Sequence, residues 1–323
     1  MLANRVASAE SNHIATQRSV VLTFNVLILA ALAPGCGDDE EPENEAPFDA
    51  IEFTYSELTI DDRSIRYALD ANDQGQIVGS SPGATDGLDG FVRSADGVTS
   101  FWTTSDYSAF PTAINSAGRV VGTNLPVGGG LPEGFQRDAM GNETPYNFAE
   151  ALGTVIFGIS SDDTLSGFYI TEMGRRGFVE QSSTELSRSV EFPGSAETQL
   201  YGINDRNQAG GAYYDSAGAA FPFIYDIESD TFEELEPPVP GNFVVSSINN
   251  AGDAIVFGLR AAAENYADLR SFYRDGETGV MTELLYPDAA ETYGYDIDND
   301  GTIIGYYLDE SGGHGGFRAQ LLE

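Results

Sequence analysis

The sequence predicts an all-β protein, a six-bladed β-propeller of four-stranded antiparallel blades, on three observations. One short pattern recurs six times at nearly constant spacing. Each copy is followed by the same Phe-marked strand. A spare strand at the front matches a strand missing at the back. Periods in the mid-forties are those of propeller blades.

The six copies are ALDANDQGQIVGS (68–80), AINSAGRVVGT (113–123), GISSDDTLSGF (158–168), GINDRNQAGGA (202–212), SINNAGDAIVF (247–257) and DIDNDGTIIGY (296–306). Aligned on the apolar anchors Ala71, Ile114, Ile159, Ile203, Ile248 and Ile297, they are 43, 45, 44, 45 and 49 residues apart. The anchor ends an inner strand. A polar residue follows it (Asn72, Asn115, Ser160, Asn204, Asn249 or Asp298), and its side chain closes a turn by bonding nearby backbone. Most copies then carry Gly, which permits the positive φ of a tight hairpin.

A β-branched run such as Gln76-Ile77-Val78 or Thr302-Ile303-Ile304 forms the second strand. It ends at Gly79, Gly122, Gly167, Gly211 or Gly305, where backbones are expected to approach closely; Val256 departs from that rule. The third strand carries Phe91, Phe135, Phe178, Phe223, Phe272 or Phe317, and a fourth follows, as in Thr99-Ser100-Phe101-Trp102. A single four-stranded unit cannot bury both faces, so neighbours must stack. An open β-solenoid is the other architecture such a repeat allows.

The sixth unit lacks a fourth strand after Phe317, whereas Ile51–Leu58 precedes the first unit and has strand character. If that segment completes the last blade, two exposed strand edges vanish at once. The propeller is therefore expected over 48–323.

Ahead of it, Val20–Leu32 (VVLTFNVLILAAL) is too short to span a bilayer but suits the apolar core of an export signal, with Arg5 and Arg18 upstream. The stretch closes on Ala33-Pro34-Gly35-Cys36. In this segment the chain resembles a bacterial lipoprotein signal, in which small residues precede a Cys that is lipidated and becomes the mature N-terminus. Ala33 stands where Leu is usual, and Pro34 is unusual there. The resemblance implies a signal over 1–35 and a lipid bilayer held through acylated Cys36, at the outer membrane or cell surface of a bacterial envelope. Residues 36–47 then form an acidic, self-repelling tether.

Asp and Glu number 51 against 15 basic residues, all of them Arg, for a formal net charge of -36. Such a field repels phosphate backbones, so nucleic-acid partners are excluded. A single Cys rules out an intrachain disulfide and a thiolate cage. Once His13 leaves with the signal, only His314 remains, too few for a His-based zinc site. No G-x-S-x-G elbow accompanies it, so no catalytic triad is indicated.

The repeats resemble the probable extracellular repeats called HAF, after a His-Ala-Phe signature. The I-N-x-x-G-x-x-V-G half fits, as in Ile114-Asn115-Ser116-Ala117-Gly118-Arg119-Val120-Val121-Gly122. The Phe of the signature survives in all six copies, but its context is Asp89-Gly90-Phe91 or Gly315-Gly316-Phe317 rather than His-Ala-Phe. The resemblance implies export and repeated β-structure and lends no catalytic residues.

Three places carry possible chemistry. Asp296, Asp298 and Asp300, followed by Gly301, match the start of a D-x-D-x-D-G calcium loop, in which alternating carboxylates converge on a hard cation. Tyr307 stands where such a loop needs Glu, and five sister turns lack the triplet, so an acidic variant of a repeated turn is the competing reading. Tyr169, Tyr214 and Tyr307, at the ends of second strands, offer flat area with a polar tip for a glycan or protein ligand; the alternative is packing between blades. Finally, a carboxylate pair alone suffices for glycoside hydrolysis or lyase-like chemistry on extracellular polysaccharide, but the sequence singles out no pair. The sequence thus indicates a membrane-anchored module that binds or scaffolds, without catalytic residues or a required cofactor, calcium being the one candidate ion. The alternative is a carboxylate-dependent enzyme.

Overall fold

A computed structural model describes residues 51–58, 67–83, 87–102, 106–181, 183–184, 186–260, 269–311 and 313–322. The segments expected to be a signal and an acidic tether, with Cys36, lie outside them. The chain forms six sheets of four antiparallel strands each, arranged as a six-bladed β-propeller.

Strand β1 (Phe53–Leu58) comes first and belongs to the last blade. The first blade holds β2 (Tyr67–Ala71), β3 (Ile77–Pro82), β4 (Leu88–Arg93) and β5 (Thr99–Trp102). The second holds β6 (Tyr107–Ile114), β7 (Val120–Pro126), β8 (Glu133–Arg137) and β9 (Glu143–Tyr146). The third holds β10 (Gly153–Ile159), β11 (Thr164–Thr171), β12 (Gly174–Gln181) and β13 (Leu186–Val190). The fourth holds β14 (Glu197–Ile203), β15 (Gln208–Tyr214), β16 (Ala220–Asp226) and β17 (Thr231–Glu234). The fifth holds β18 (Gly241–Ile248), β19 (Ala254–Arg260), β20 (Leu269–Arg274) and β21 (Met281–Glu283). The sixth holds β22 (Glu291–Ile297), β23 (Ile303–Leu308) and β24 (His314–Leu321).

Blade six is completed by β1, which pairs antiparallel with β24 from Phe53↔Leu321 to Leu58↔Gly316. The ring therefore closes as the spare strand requires, and the open solenoid is excluded. Tyr55 fixes the joint: its ring packs edge-on to Tyr286 and Phe317, and its hydroxyl accepts a hydrogen bond from Leu285 N–H at 2.9 Å.

The repeat now has a physical reading. All six marker Phe side chains are buried. In five blades the Phe lies directly across from the Gly that ends the second-strand run, as in Phe91↔Gly79 and Phe317↔Gly305. In the fifth, Phe272 faces Val256 and packs edge-on to Phe243 instead. The turns after the anchors follow the expected rule, with φ of 72° at Gly75 and 76° at Gly301. Blades three and four lack that Gly, and Asp163 and Asn207 take the left-handed conformation in its place, at 67° and 61°. Asp and Asn tolerate this region better than other side chains because they can bond their own backbone.

Aromatic side chains fill the axis. Tyr67, Phe110, Tyr201, Phe257, Tyr293 and Tyr295 belong to one buried cluster that closes the channel. The inner strands surround this plug, and each is bulged two residues before its anchor turn, for example between Ala68 and Asp70 and between Gly294 and Asp296. A bulge re-aims the side chains that follow it. Here the residues from each bulge to its anchor, such as Leu69-Asp70-Ala71 and Tyr295-Asp296-Ile297, line one shared cavity.

Candidate functional site

The six anchor turns converge on one end of the axis and enclose a cup of about 120 Å³. That is room for about four waters or one small group. Its deeper lining is apolar, with Leu69, Phe157, Tyr201, Phe257 and Tyr295 from the axial plug. Its walls are polar.

Two rings of hydrogen bonds build those walls. In the inner ring the polar residue after the anchor does two jobs. Its oxygen closes its own turn: Asn72 Oδ1 accepts from Gln74 N–H and Gln76 N–H. Its amide reaches the neighbouring blade: Asn72 Nδ2 donates to the Asn115 carbonyl at 2.9 Å, Asn115 to Ser160, Asn204 to Asn249, and Asn249 to Asp298. Ser160 is too short to continue, and its hydroxyl donates to Asp162 instead. A carboxylate at Asp298 has no amide to give, and its Oδ1 accepts from Asp300 N–H and Thr302 N–H.

The outer ring lies one residue further on. Ser161 N–H donates to Asp205, Asp205 N–H to Asn250, Asn250 N–H to Asn299, and the Asn299 amide to Asp73.

The electrostatic feature of the cup is a pair of carboxylates. Asp70 of blade one and Asp296 of blade six occupy the same repeat position, the residue before the anchor; the other blades place Ala113, Gly158, Gly202 and Ser247 there. Both accept from one amide, Ala71 N–H, at 2.8 and 3.3 Å. Asp70 Oδ2 also accepts from Ile114 N–H at 2.5 Å, and Asp296 Oδ1 from the Ser247 hydroxyl at 2.6 Å. Burial first, and then the neighbouring Asp296 charge, hold the Asp70 carboxyl well above the ordinary range. Asp298, two residues along, is pushed up to about 6, mainly by burial.

The calcium triplet is not gathered. Asp296 points to Asp70 and Ser247, Asp298 caps its own turn, and Asp300 is exposed. Among the described residues no group of three His, Cys, Asp or Glu side chains is placed to hold a metal ion.

The three tyrosines lie at the other end of the propeller. Tyr169, Tyr214 and Tyr307 pair with Thr154, Glu197 and Thr292, at the starts of inner strands whose last residues line the cup. Tyr214 is fully buried, with its hydroxyl 3.2 Å from that of Tyr201. Tyr307 stacks on Tyr286 at 4.0 Å, and Tyr169 packs on Phe148 with its hydroxyl bonded to Ser189. All three serve packing. The sequence reading missed the carboxylate pair, although a signal was present: only the first and last copies carry Asp before the anchor.

No family model matches the chain, and no curated protein matches it in sequence. Solved structures do match. TolB from Acinetobacter baumannii superposes with a TM-score of 0.52 at 13% identity, over 76% of this chain and 63% of that one. A structure assigned as TolB from Agrobacterium tumefaciens gives 0.56 at 10% identity, over 85% of this chain and 99% of that one. The chain thus spans less than two thirds of the Acinetobacter protein and nearly all of the Agrobacterium one. Identities this low show a shared propeller fold and nothing further. An oligogalacturonate lyase in complex with manganese aligns with a TM-score of 0.45 at 13% identity, over 86% of this chain and 99% of that one, a likeness too low to carry an argument.

Proposed function

We propose that the protein is an exported propeller, held at the cell envelope through acylated Cys36, that binds or scaffolds a glycan or protein ligand by seating one small group of it in the axial cup. The observation that carries this reading is the cup itself, where all six blades contribute to one concave, polar-walled and apolar-floored site. Concave sites with an apolar floor and a few polar groups are where ligands bind. The lipoprotein-like signal and the HAF-like repeats support export. The test for the anchor is incorporation of labelled palmitate by the wild-type chain and its loss in Cys36→Ser. The test for the cup is glycan-array and cross-linking capture with the detergent-solubilised full chain, compared with Ser116→Trp, which blocks the cup mouth. Equal capture by both would sink the cup as the binding site.

One observation favours a second reading, a carboxylate enzyme acting on polysaccharide: Asp70 and Asp296 are paired in the cup. All four of their oxygens already accept hydrogen bonds from the protein, which fits a structural pair better than a reacting one. Polysaccharide turnover lost in both Asp70→Asn and Asp296→Asn would reverse that preference.

A further inference from the structure

We propose that the first and last blades are held together by one proton shared between Asp70 and Asp296, so that the closing seam of the ring is tight in acid and loosened in alkali. This goes beyond ligand binding at the cup and does not depend on it.

The geometry is specific to this seam. The two carboxyl groups come from adjacent blades and converge on one donor, with an oxygen of each at 2.8 and 3.3 Å from the Ala71 nitrogen. The four other blades carry Ala, Gly, Gly or Ser at the same position, so no other seam sets carboxylate against carboxylate there. Each partner is also tied to the next blade out, Asp70 to Ile114 of blade two and Asp296 to Ser247 of blade five. Four consecutive blades thus meet through this pair.

The surroundings supply no neutralising charge in contact. Strands β3, β6 and β23, which pack on β2, and β18, which packs on β22, carry no Asp, Glu, Arg or His; β19 and β20, also against β22, bring Arg260, Arg270 and Arg274, of which Arg270 pairs with Glu283 and Arg274 with Glu233. On β22 the other acid, Glu291, lies at the far end beside Tyr293. The other titratable groups of the cup are Asp73, Tyr201, Asp205, Tyr295 and Asp298. None of these is cationic. Arg318 on β24 interacts electrostatically with Asp298 and Arg93. Two carboxylates so placed cannot both ionise without repelling across the seam. One proton turns that repulsion into an O–H···O⁻ hydrogen bond, among the strongest available to side chains.

The sign follows from linkage. The folded protein keeps a proton that the unfolded chain gives up near the ordinary carboxylate range. This contribution to stability is therefore greatest in acid and is lost as pH rises through the raised titration of the Asp70 carboxyl.

The test is thermal unfolding of the full chain from pH 4.5 to 8.5, with wild type, Asp70→Asn and Asp296→Asn in parallel. Asn is the permanent analogue of the protonated partner. Relative to either variant, wild type should lose about 3 °C in Tm across that range, a shift readable for a domain of this size. A wild-type-minus-variant difference that stays constant across pH would overturn the proposal. Hydrogen exchange on wild type alone gives a second readout, needed if the variants do not fold. After correction for intrinsic rates, protection at Ala71 and Ile114 should fall between pH 5.5 and 8 relative to Val245 and Ile248. Parallel behaviour of the two pairs would refute it.

Discussion

Gly122 lies directly across the sheet from Phe135, and the ring occupies the space that a methyl group on Gly122 would need. A Cβ there would stand 2.7 Å from Phe135 Cζ and would collide with the Phe110 carbonyl oxygen as well. Gly122→Ala should therefore destabilise by about 1–3 kcal/mol through overpacking. Gly218 is the control. It has positive φ but open space around it, so Gly218→Ala should cost only about 1 kcal/mol of backbone strain. Urea unfolding of the two variants ranks them, and a reversed order would refute the packing account of the repeat.

The inner ring of amides predicts that Asn115→Ala costs about 1–3 kcal/mol, because it strips two turn amides of their acceptor and leaves the buried Ser160 carbonyl without its inter-blade donor. Asn115→Asp should not rescue it, since a carboxylate keeps the turn closed but cannot donate. Chemical denaturation curves distinguish the outcomes.

Asp298→Asn should have the opposite effect at neutral pH. Asp298 is raised to about 6 by burial, so the folded state binds its proton more tightly than the unfolded state does. Its contribution is fully present below the ordinary carboxylate pKa and is lost as pH rises through about 6. The Asn variant removes that loss and adds an amide that can reach the Asn72 carbonyl, as Asn72, Asn115, Asn204 and Asn249 reach theirs. Its Tm advantage over wild type should be larger at pH 8 than at pH 4; a variant less stable than wild type at pH 8 would contradict this.

Ring closure through β1 predicts a graded pair of variants at Tyr55. Tyr55→Phe removes one hydrogen bond to Leu285 N–H and should cost about 1 kcal/mol, whereas Tyr55→Ala also empties the contact with Tyr286 and Phe317 and should cost about 2 kcal/mol or more. Calorimetry resolves the two steps.

Calcium gives a further discriminating measurement. With Asp296 and Asp298 engaged elsewhere, Tm in calcium should equal Tm with a chelator at matched ionic strength, because an ion bound only by the folded state has to raise it. Sodium chloride, in contrast, should raise Tm by screening a net charge of -36.

The fold was legible because each blade repeats its reasons: an anchor, a turn-closing polar residue, a Gly and the Phe that covers it. Even closure could be read, since β1 is a strand without a neighbour until it meets β24. The cup was harder to see. Asp70 and Asp296 are 226 residues apart and become neighbours only once the ring closes. Asn72 shows a different limit. Its role within its own turn follows from local chemistry, but the bond to Asn115 depends on how blades are angled against each other. The tyrosines show a related limit, because alternation along a strand does not distinguish a side chain at an open mouth from one wedged between sheets.

The joint between β1 and β24 also orders events in time. Thr54 and Gln320, which meet through a hydrogen bond, are separated by 266 residues of chain. During synthesis, β1 is made first and must wait, its edge unsatisfied, until nearly everything else has been threaded out. A strand kept waiting that long is a template for the wrong partner. The exposed polar side chains of β1, Thr54, Ser56 and Glu57, with Glu52 just ahead of it, suit that edge to discouraging strangers meanwhile.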